Sequence, residues 1–269
     1  MFKKNTYFEY AQSLSNQYST ILSEALIEEK LLEIFNGQLP IDKENFNMTA
    51  REFLNTFLLQ NYPNETAVKS TFINNILFKT RNHVSIFELN VGQSRLDLCK
   101  ISTFSTAFEI KTDLDTPQRL KQQLDDYFKV FEKVYIICSI NNVDNMINYT
   151  PKECGIYTYR ITRNGRYIFK KTRTAQKSNN ISSSAQLSIL TKRELSTYFT
   201  CPYLENKDDM IERILNTVDN EEINKNFKIC LKNKFQSKWE YLVEHSSDIL
   251  EIDYQWFFKN NITPEIVYL

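Results

Sequence analysis

The sequence predicts an α/β protein: an αβββαβ core over residues 61–150, a helical N-terminal region over 1–60, and a basic hairpin followed by a mixed, largely helical region over 151–269. Three observations predict it. Apolar residues recur at helical spacing as far as Lys79; the period then shortens to that of strands in three consecutive segments; helical spacing returns once before an uninterrupted apolar run of strand length.

In residues 5–60 the helix-spaced apolar positions include Leu26, Leu31, Leu32 and Ile34, then Phe53, Phe57 and Leu58, with breaks at Gly37 and Pro40. Pro63 stops that run, Asn64 is placed to cap a new helix, and Val68, Phe72 and Ile76 share one face of it. VSIFEL, SRLDLCKI and TAFEIK are short, apolar or β-branched, and separated by turn material, so they predict a three-stranded meander. In DTPQRLKQQLDDYFKVFEK, Thr116 is a candidate N-cap, Pro117 suits the first turn, and Leu120, Leu124, Tyr127 and Phe131 form one apolar stripe, which assigns Tyr127 to the core of a helix of about four turns. KVYIICSI has the composition of a strand buried on both faces. GIYTYRI and RYIFKKTR are joined by Asn164-Gly165, a tight-hairpin pair, and Thr191 with Glu194 fits a capping box.

Composition narrows the chemistry. Lys+Arg and Asp+Glu both number 33 in 269 residues, so any surface for a polyanion must be local. The five cysteines have no CxxC spacing, which suggests neither a disulfide framework nor a zinc knuckle and fits a reducing cytoplasm. Only four glycines occur, never clustered, so the glycine-rich phosphate loops are missing. No stretch approaches the roughly 20 apolar residues of a membrane span, and the N-terminus lacks the apolar segment of a signal peptide.

Asp97 and Glu109 interrupt apolar strands, and Lys111 follows the second acid by two. Alternation separates Leu96 and Leu98 from Asp97, Phe108 and Ile110 from Glu109 and Lys111, and Phe87 and Leu89 from Glu88. If the three strands neighbour one another with their apolar faces aligned, Glu88, Asp97, Glu109 and Lys111 converge. Carboxylates gathered in a partly buried site repel, and a divalent cation relieves the repulsion; hard oxygen donors suit Mg²⁺ or Mn²⁺. Lys111 is then placed to orient or help deprotonate an attacking water and to stabilise a phosphorane. The competing assignment is an exposed sheet face carrying paired surface charges.

Asp97 followed by Glu109-Ile110-Lys111, on this element order, resembles the PD-(D/E)XK nuclease superfamily, whose fold is restriction-endonuclease-like. Leu96 stands where the motif's proline would be. SRLDL with FEIKTDLDTPQRLKQQLDDYF further resembles an uncharacterised bacterial branch of it. The resemblance covers about residues 61–140. It implies a metal-dependent nuclease that hydrolyses phosphodiester bonds in DNA with Mg²⁺ or Mn²⁺ as cofactor. Asp97, Glu109 and the backbone carbonyl of Ile110 would be metal ligands, and Lys111 the catalytic lysine. Glu65 or Glu88 would be an additional acid, Gln123 a further site residue, and Arg119 a phosphate contact. Beside these stand a helix-dipole role for Glu65 and a solvated helix face for Gln123 and Arg119. Relatives of this fold often cut two strands as homodimers.

From Cys154 to Arg193 there is no acidic residue, while Arg160, Arg163, Arg166, Lys170, Lys171 and Arg173 alternate with aromatics around the hairpin. This is a candidate nucleic-acid surface, DNA being favoured over RNA, or a solvated basic face. His83 and His245 are the only histidines, and no Cys/His pair points to a covalent nucleophile. The rival function is a non-catalytic nucleic-acid- or protein-binding module of a mobile-element or defence system.

Overall fold

The computed structural model describes residues 2–38 and 48–268. In chain order its elements are α1 (Phe2–Gln17), α2 (Glu24–Ile34), α3 (Ala50–Asn61), α4 (Glu65–Phe72), β1 (Val84–Val91), β2 (Ser94–Ile101), β3 (Ser105–Lys111), α5 (Leu120–Phe128), β4 (Lys133–Ser139), α6 (Val143–Ile147), β5 (Gly155–Ile161), β6 (Tyr167–Arg173), α7 (Ser183–Ile189), α8 (Lys192–Phe199), α9 (Lys207–Thr217), α10 (Asn220–Glu244), α11 (Tyr254–Asn260) and α12 (Pro264–Val267). The break expected at Pro40 lies outside the described residues. The chain divides into two compact units, one of residues 1–79, 160–168 and 241–269, the other of 80–159 and 169–240.

The first unit is helical. Its helices start where short polar side chains can take the free amides of a first turn. Ser23 caps α2, Thr49 and Glu52 close a capping box on α3, and Asn64 accepts from the amide of Ala67 at 2.9 Å to open α4. Leu14, Ile27, Leu31, Phe53, Leu54 and Phe57 make the core between α1, α2 and α3. A second, polar centre is the fully buried Asp253, whose carboxylate accepts from Tyr18, Thr20 and Tyr268 at 2.7–3.0 Å. Arg51 donates to the Tyr18 hydroxyl and the Thr20 carbonyl and stacks over the Tyr268 ring at 4.6 Å. The hairpin tip belongs to this unit: Gly165, at φ +73°, follows a turn closed by its own amide on the Thr162 carbonyl, and Tyr167 donates to the carbonyl of Leu59. A three-residue connection with glycine in the left-handed region replaces a two-residue turn.

The second unit is built on the mixed sheet, six strands in the order β1-β2-β3-β4-β5-β6. β1, β2 and β3 form the expected antiparallel meander, and β4 runs parallel to β3 after the α5 crossover. Every residue of β3 is buried, as are six of the seven in β4, so the centre of the sheet is covered on both faces. The capping box of Thr191 and Glu194 is formed at the start of α8. Thr116 makes no side-chain cap; the helix opens with a 3₁₀ turn at Pro117–Arg119 and runs about three turns instead of four. It ends early because the carbonyls of Phe128, Lys129 and Val130 accept from Ser178 Oγ, the Ser182 amide and Gln186 Nε2. Among the described residues no helix is long and apolar enough to cross a membrane, and the five cysteines are buried and free.

Candidate active site

Neighbouring strands set Asp97 and Glu109 at facing positions. The β1–β2 register pairs Phe87 with Leu98 and Leu89 with Leu96, which puts Glu88 opposite Asp97; one step beyond the Leu98–Phe108 pair of β2–β3, Asp97 stands opposite Glu109. The β2–β3 ladder ends there: the amide of Ile110 donates to Asp97 Oδ2 at 2.7 Å instead of to a β2 carbonyl. A side chain thus takes over a backbone role and is fixed by it.

Asp97 is 9% exposed, Glu109 1% and Lys111 8%, so they are not an exposed face of paired surface charges. Glu109 is held at both oxygens. Oε1 accepts from Lys111 Nζ at 2.7 Å, and Oε2 accepts from the Tyr127 hydroxyl at 2.8 Å. Burial, then the charge of Glu109 and its hydrogen bond, then the charge of Asp97, push the Tyr127 phenol far above its ordinary value, so it stays protonated. Its hydroxyl also lies 3.1 Å from the carbonyl of Arg95.

Tyr127 is the residue that sequence reasoning left in the apolar stripe. Its ring is fully buried as expected, yet its hydroxyl reaches the acids. The available signal was its spacing of four from Gln123, which sets both on one side of α5. Gln123 touches Tyr127 through its amide, and its Oε1 is buried without a hydrogen-bond partner.

The other candidates fall in different places. Glu88 has φ +50° within β1, and its carboxylate lies 3.7 Å from Arg95. Glu65 opens α4 in the first unit and pairs with Lys69 at 2.7 Å, as a charge in a first helical turn does. Arg119 is exposed in the 3₁₀ turn before α5. Arg160, Arg163 and Arg166 are exposed around the hairpin tip in the first unit; Lys170, Lys171 and Arg173 lie on β6 in the second. Arg173 is committed to the fold, donating to the carbonyls of Cys154 at 2.6 Å and Pro151 at 3.0 Å. Lys171 lies over the Tyr157 ring. His83 packs on Trp239 with ring centroids 5.1 Å apart, and burial, with Lys100 nearby, lowers its pKa to about 4, so it is a neutral packing residue.

Among the described residues no three His, Cys, Asp or Glu side chains gather as a ready-made cation site. The acids brought to neighbouring positions are Asp97 and Glu109; Gln123, whose Oε1 is buried without a hydrogen-bond partner, touches the same Tyr127 hydroxyl through its amide. A two-carboxylate, all-oxygen set with a buried free acceptor fits a hard dication that keeps most of its own waters.

Comparison with known proteins adds a family. Residues 59–256, about three quarters of the chain, match the family model described as bacteriophage P4 protein cII. The chain belongs to the bacteriophage P4 protein cII family. The part of this cII-family chain that matches encloses the whole sheet with Asp97, Glu109, Lys111, Gln123 and Tyr127. No curated protein matches the sequence. A solved structure described as SPO1766 protein of unknown function from Silicibacter pomeroyi is similar at 13% identity and a TM-score of 0.31, over 40% of this chain and 69% of that one.

Proposed function

We propose that this cII-family protein is a divalent-metal-dependent nuclease of the restriction-endonuclease-like PD-(D/E)XK type, hydrolysing phosphodiester bonds in DNA. The observation that carries the reading is the buried trio of Asp97, Glu109 and Lys111 on one face of neighbouring strands, with Glu109 held by Lys111 and Tyr127 at once. Like charges opposite one another on a sheet destabilise it, and a structure that only needed stability would fill these positions with apolar residues.

Asp97 and Glu109 would hold Mg²⁺ or Mn²⁺, with the Ile110 carbonyl and Gln123 Oε1 as further oxygen donors. When bound, such a cation offsets negative charge developing on the phosphoryl oxygens. The protein supplies the rest. The Ile110 amide fixes Asp97, and the Tyr127 hydroxyl fixes Glu109, so neither carboxylate has to reorganise during the reaction. Each carboxylate oxygen has two lone pairs, so Glu109 can keep both donors and still offer a ligand. Lys111, 2.7 Å from Glu109, carries the ammonium that meets charge on the phosphorane. Arg119, exposed at the start of the crossover helix, is free to hold a flanking phosphate.

The test is nicking of supercoiled plasmid with Mg²⁺ or Mn²⁺ and with EDTA, beside calorimetric titration of Mn²⁺ alone. Asp97→Asn is expected to lose Mn²⁺ binding and cleavage, and Lys111→Met to lose cleavage by roughly a hundredfold or more while keeping Mn²⁺. Unchanged nicking in both variants removes the assignment.

A non-catalytic nucleic-acid- or protein-binding module of a mobile-element system is the second reading. It is favoured by the family's description, which is that of a bacteriophage protein. Salt-sensitive DNA binding without any Mn²⁺ binding would select it.

A further inference from the structure

The face of the sheet turned away from the acids has its own composition. Alternation puts Lys100 of β2 on the side opposite Asp97, and Thr106 and Phe108 of β3 on the side opposite Glu109. The register then lines up Lys100 with Thr106 and Thr106 with Lys133, so two lysines flank a threonine in one row across β2, β3 and β4. Phe108 stacks on Tyr135 with centroids 5.7 Å apart, Tyr135 meets Tyr157 at 5.2 Å, and Lys171 of β6 lies 5.5 Å over the Tyr157 ring. Lys133 stands 4.1 Å over the exposed ring of Phe104.

Three strands thus bring three lysines to one face of the sheet, where the rings of Tyr157 and Phe104 are part-exposed while those of Phe108 and Tyr135 lie buried. The mutual repulsion of the lysines is felt: Lys100 has a lowered pKa, first because it is half-buried and then because Lys171 and Lys133 are near. Among the described residues no carboxylate pairs with any of the three. The adjacent Glu132 is already taken by Lys228 at 3.0 Å. Gathering cations without counter-charge costs stability, and half-exposed rings beside them add an apolar surface that a stacked base can cover.

We infer that Lys100, Lys133 and Lys171, with Tyr157 and Phe104, form a binding track for one single strand of nucleic acid on the face of the sheet opposite Asp97 and Glu109. The lysines meet successive phosphates, because they are spread over three strands, and the rings receive bases. This regroups the basic residues of the hairpin: Lys171 acts with lysines remote in sequence, while Arg173 is spent on backbone carbonyls. The track does not depend on hydrolysis, since none of its residues touches the acids.

The experiment measures fluorescence anisotropy of labelled single-stranded DNA in EDTA, on an Asp97→Asn background, at several salt concentrations. The triple variant Lys100→Gln/Lys133→Gln/Lys171→Gln is expected to flatten the slope of log affinity against log salt by about 2, at roughly 0.7 for each phosphate no longer neutralised. Lys171→Glu alone, at an exposed position, is expected to weaken binding at least about fivefold at moderate salt, whereas Lys225→Glu on α10, the same charge change, leaves it within about twofold. Equal losses in Lys171→Glu and Lys225→Glu overturn the track, as does a parent protein that binds inorganic pyrophosphate but no oligonucleotide. Failure of the nicking assay leaves these outcomes untouched, because no cleavage is measured.

Discussion

The hydroxyl of Tyr127 donates to Oε2 of Glu109 at 2.8 Å, joining the crossover helix to the acid at the centre of the sheet. Tyr127→Phe deletes that donor, together with the hydroxyl's contacts to the Arg95 carbonyl and the Gln123 amide. A buried carboxylate oxygen left unsatisfied costs about 1–3 kcal/mol, so the urea midpoint is expected to fall by that equivalent with no change of m-value. Cleavage is expected to drop less than in Asp97→Asn, because the phenol stays protonated and only positions Glu109. A fully stable, fully active Tyr127→Phe would show that the bond has no structural or functional weight.

Glu88 holds a left-handed φ of +50° inside a strand, where a non-glycine residue is strained by roughly 1–2 kcal/mol. Its partner Arg95 is largely exposed, and such a pair contributes little. Glu88→Gly is therefore expected to be neutral or to stabilise by up to about 1 kcal/mol in chemical denaturation, after the entropic cost of glycine is counted. Destabilisation beyond about 1 kcal/mol would mean that the Glu88 carboxylate holds more structure than the strain it causes.

Glu132 links the start of β3 to α10, accepting from the Ser105 amide at 2.8 Å and from Lys228 at 3.0 Å. Burial opposes its ionisation, but the Ser105 amide, Lys228 and Asn224 together hold its pKa below the ordinary 4.5. A depressed acid contributes stability that is complete above the unfolded value and is lost as pH falls through the folded one. The second unit is expected to weaken below about pH 4.5, and Glu132→Gln to flatten that part of the profile. Thermal melts between pH 3 and 7 provide the check; identical pH slopes in the two proteins would contradict it.

In the first unit Asp253 has the opposite sign. Burial raises its pKa, against hydrogen bonds from Thr20, Tyr268 and Tyr18 and the charge of Arg51. A raised acid contributes stability present below the unfolded value and lost as pH rises through the folded one. Asp253→Ala leaves the hydroxyls of Tyr18, Thr20 and Tyr268 without their common acceptor and the buried Arg51 without its nearby negative charge, and is expected to cost roughly 3–5 kcal/mol. Asp253→Asn is expected to cost less and to remove the loss of stability on raising the pH, read by melts that follow Trp256 fluorescence.

Much of this molecule was legible in its residue order because the forces involved are local. Period two in VSIFEL, SRLDLCKI and TAFEIK produced the meander, Asn64 and the Thr191–Glu194 box cap the helices they were expected to cap, and alternation alone put Glu109 and Lys111 on one side of a strand. The cap at Thr116 was a local expectation that failed, since a 3₁₀ turn at Pro117 took its place.

What residue order left open depends on partners far away in the chain. An apolar stripe identifies Tyr127 as core, but where its hydroxyl ends up depends on how α5 lies across the sheet. Local charge counts put Lys171 and Arg173 in one basic run, yet Lys171 joins Lys100 and Lys133 across the strands while Arg173 binds backbone carbonyls. Hydrogen bonding and Coulomb forces act over a few ångströms of space whatever the separation along the chain, so these pairings appear only once the strands are in register.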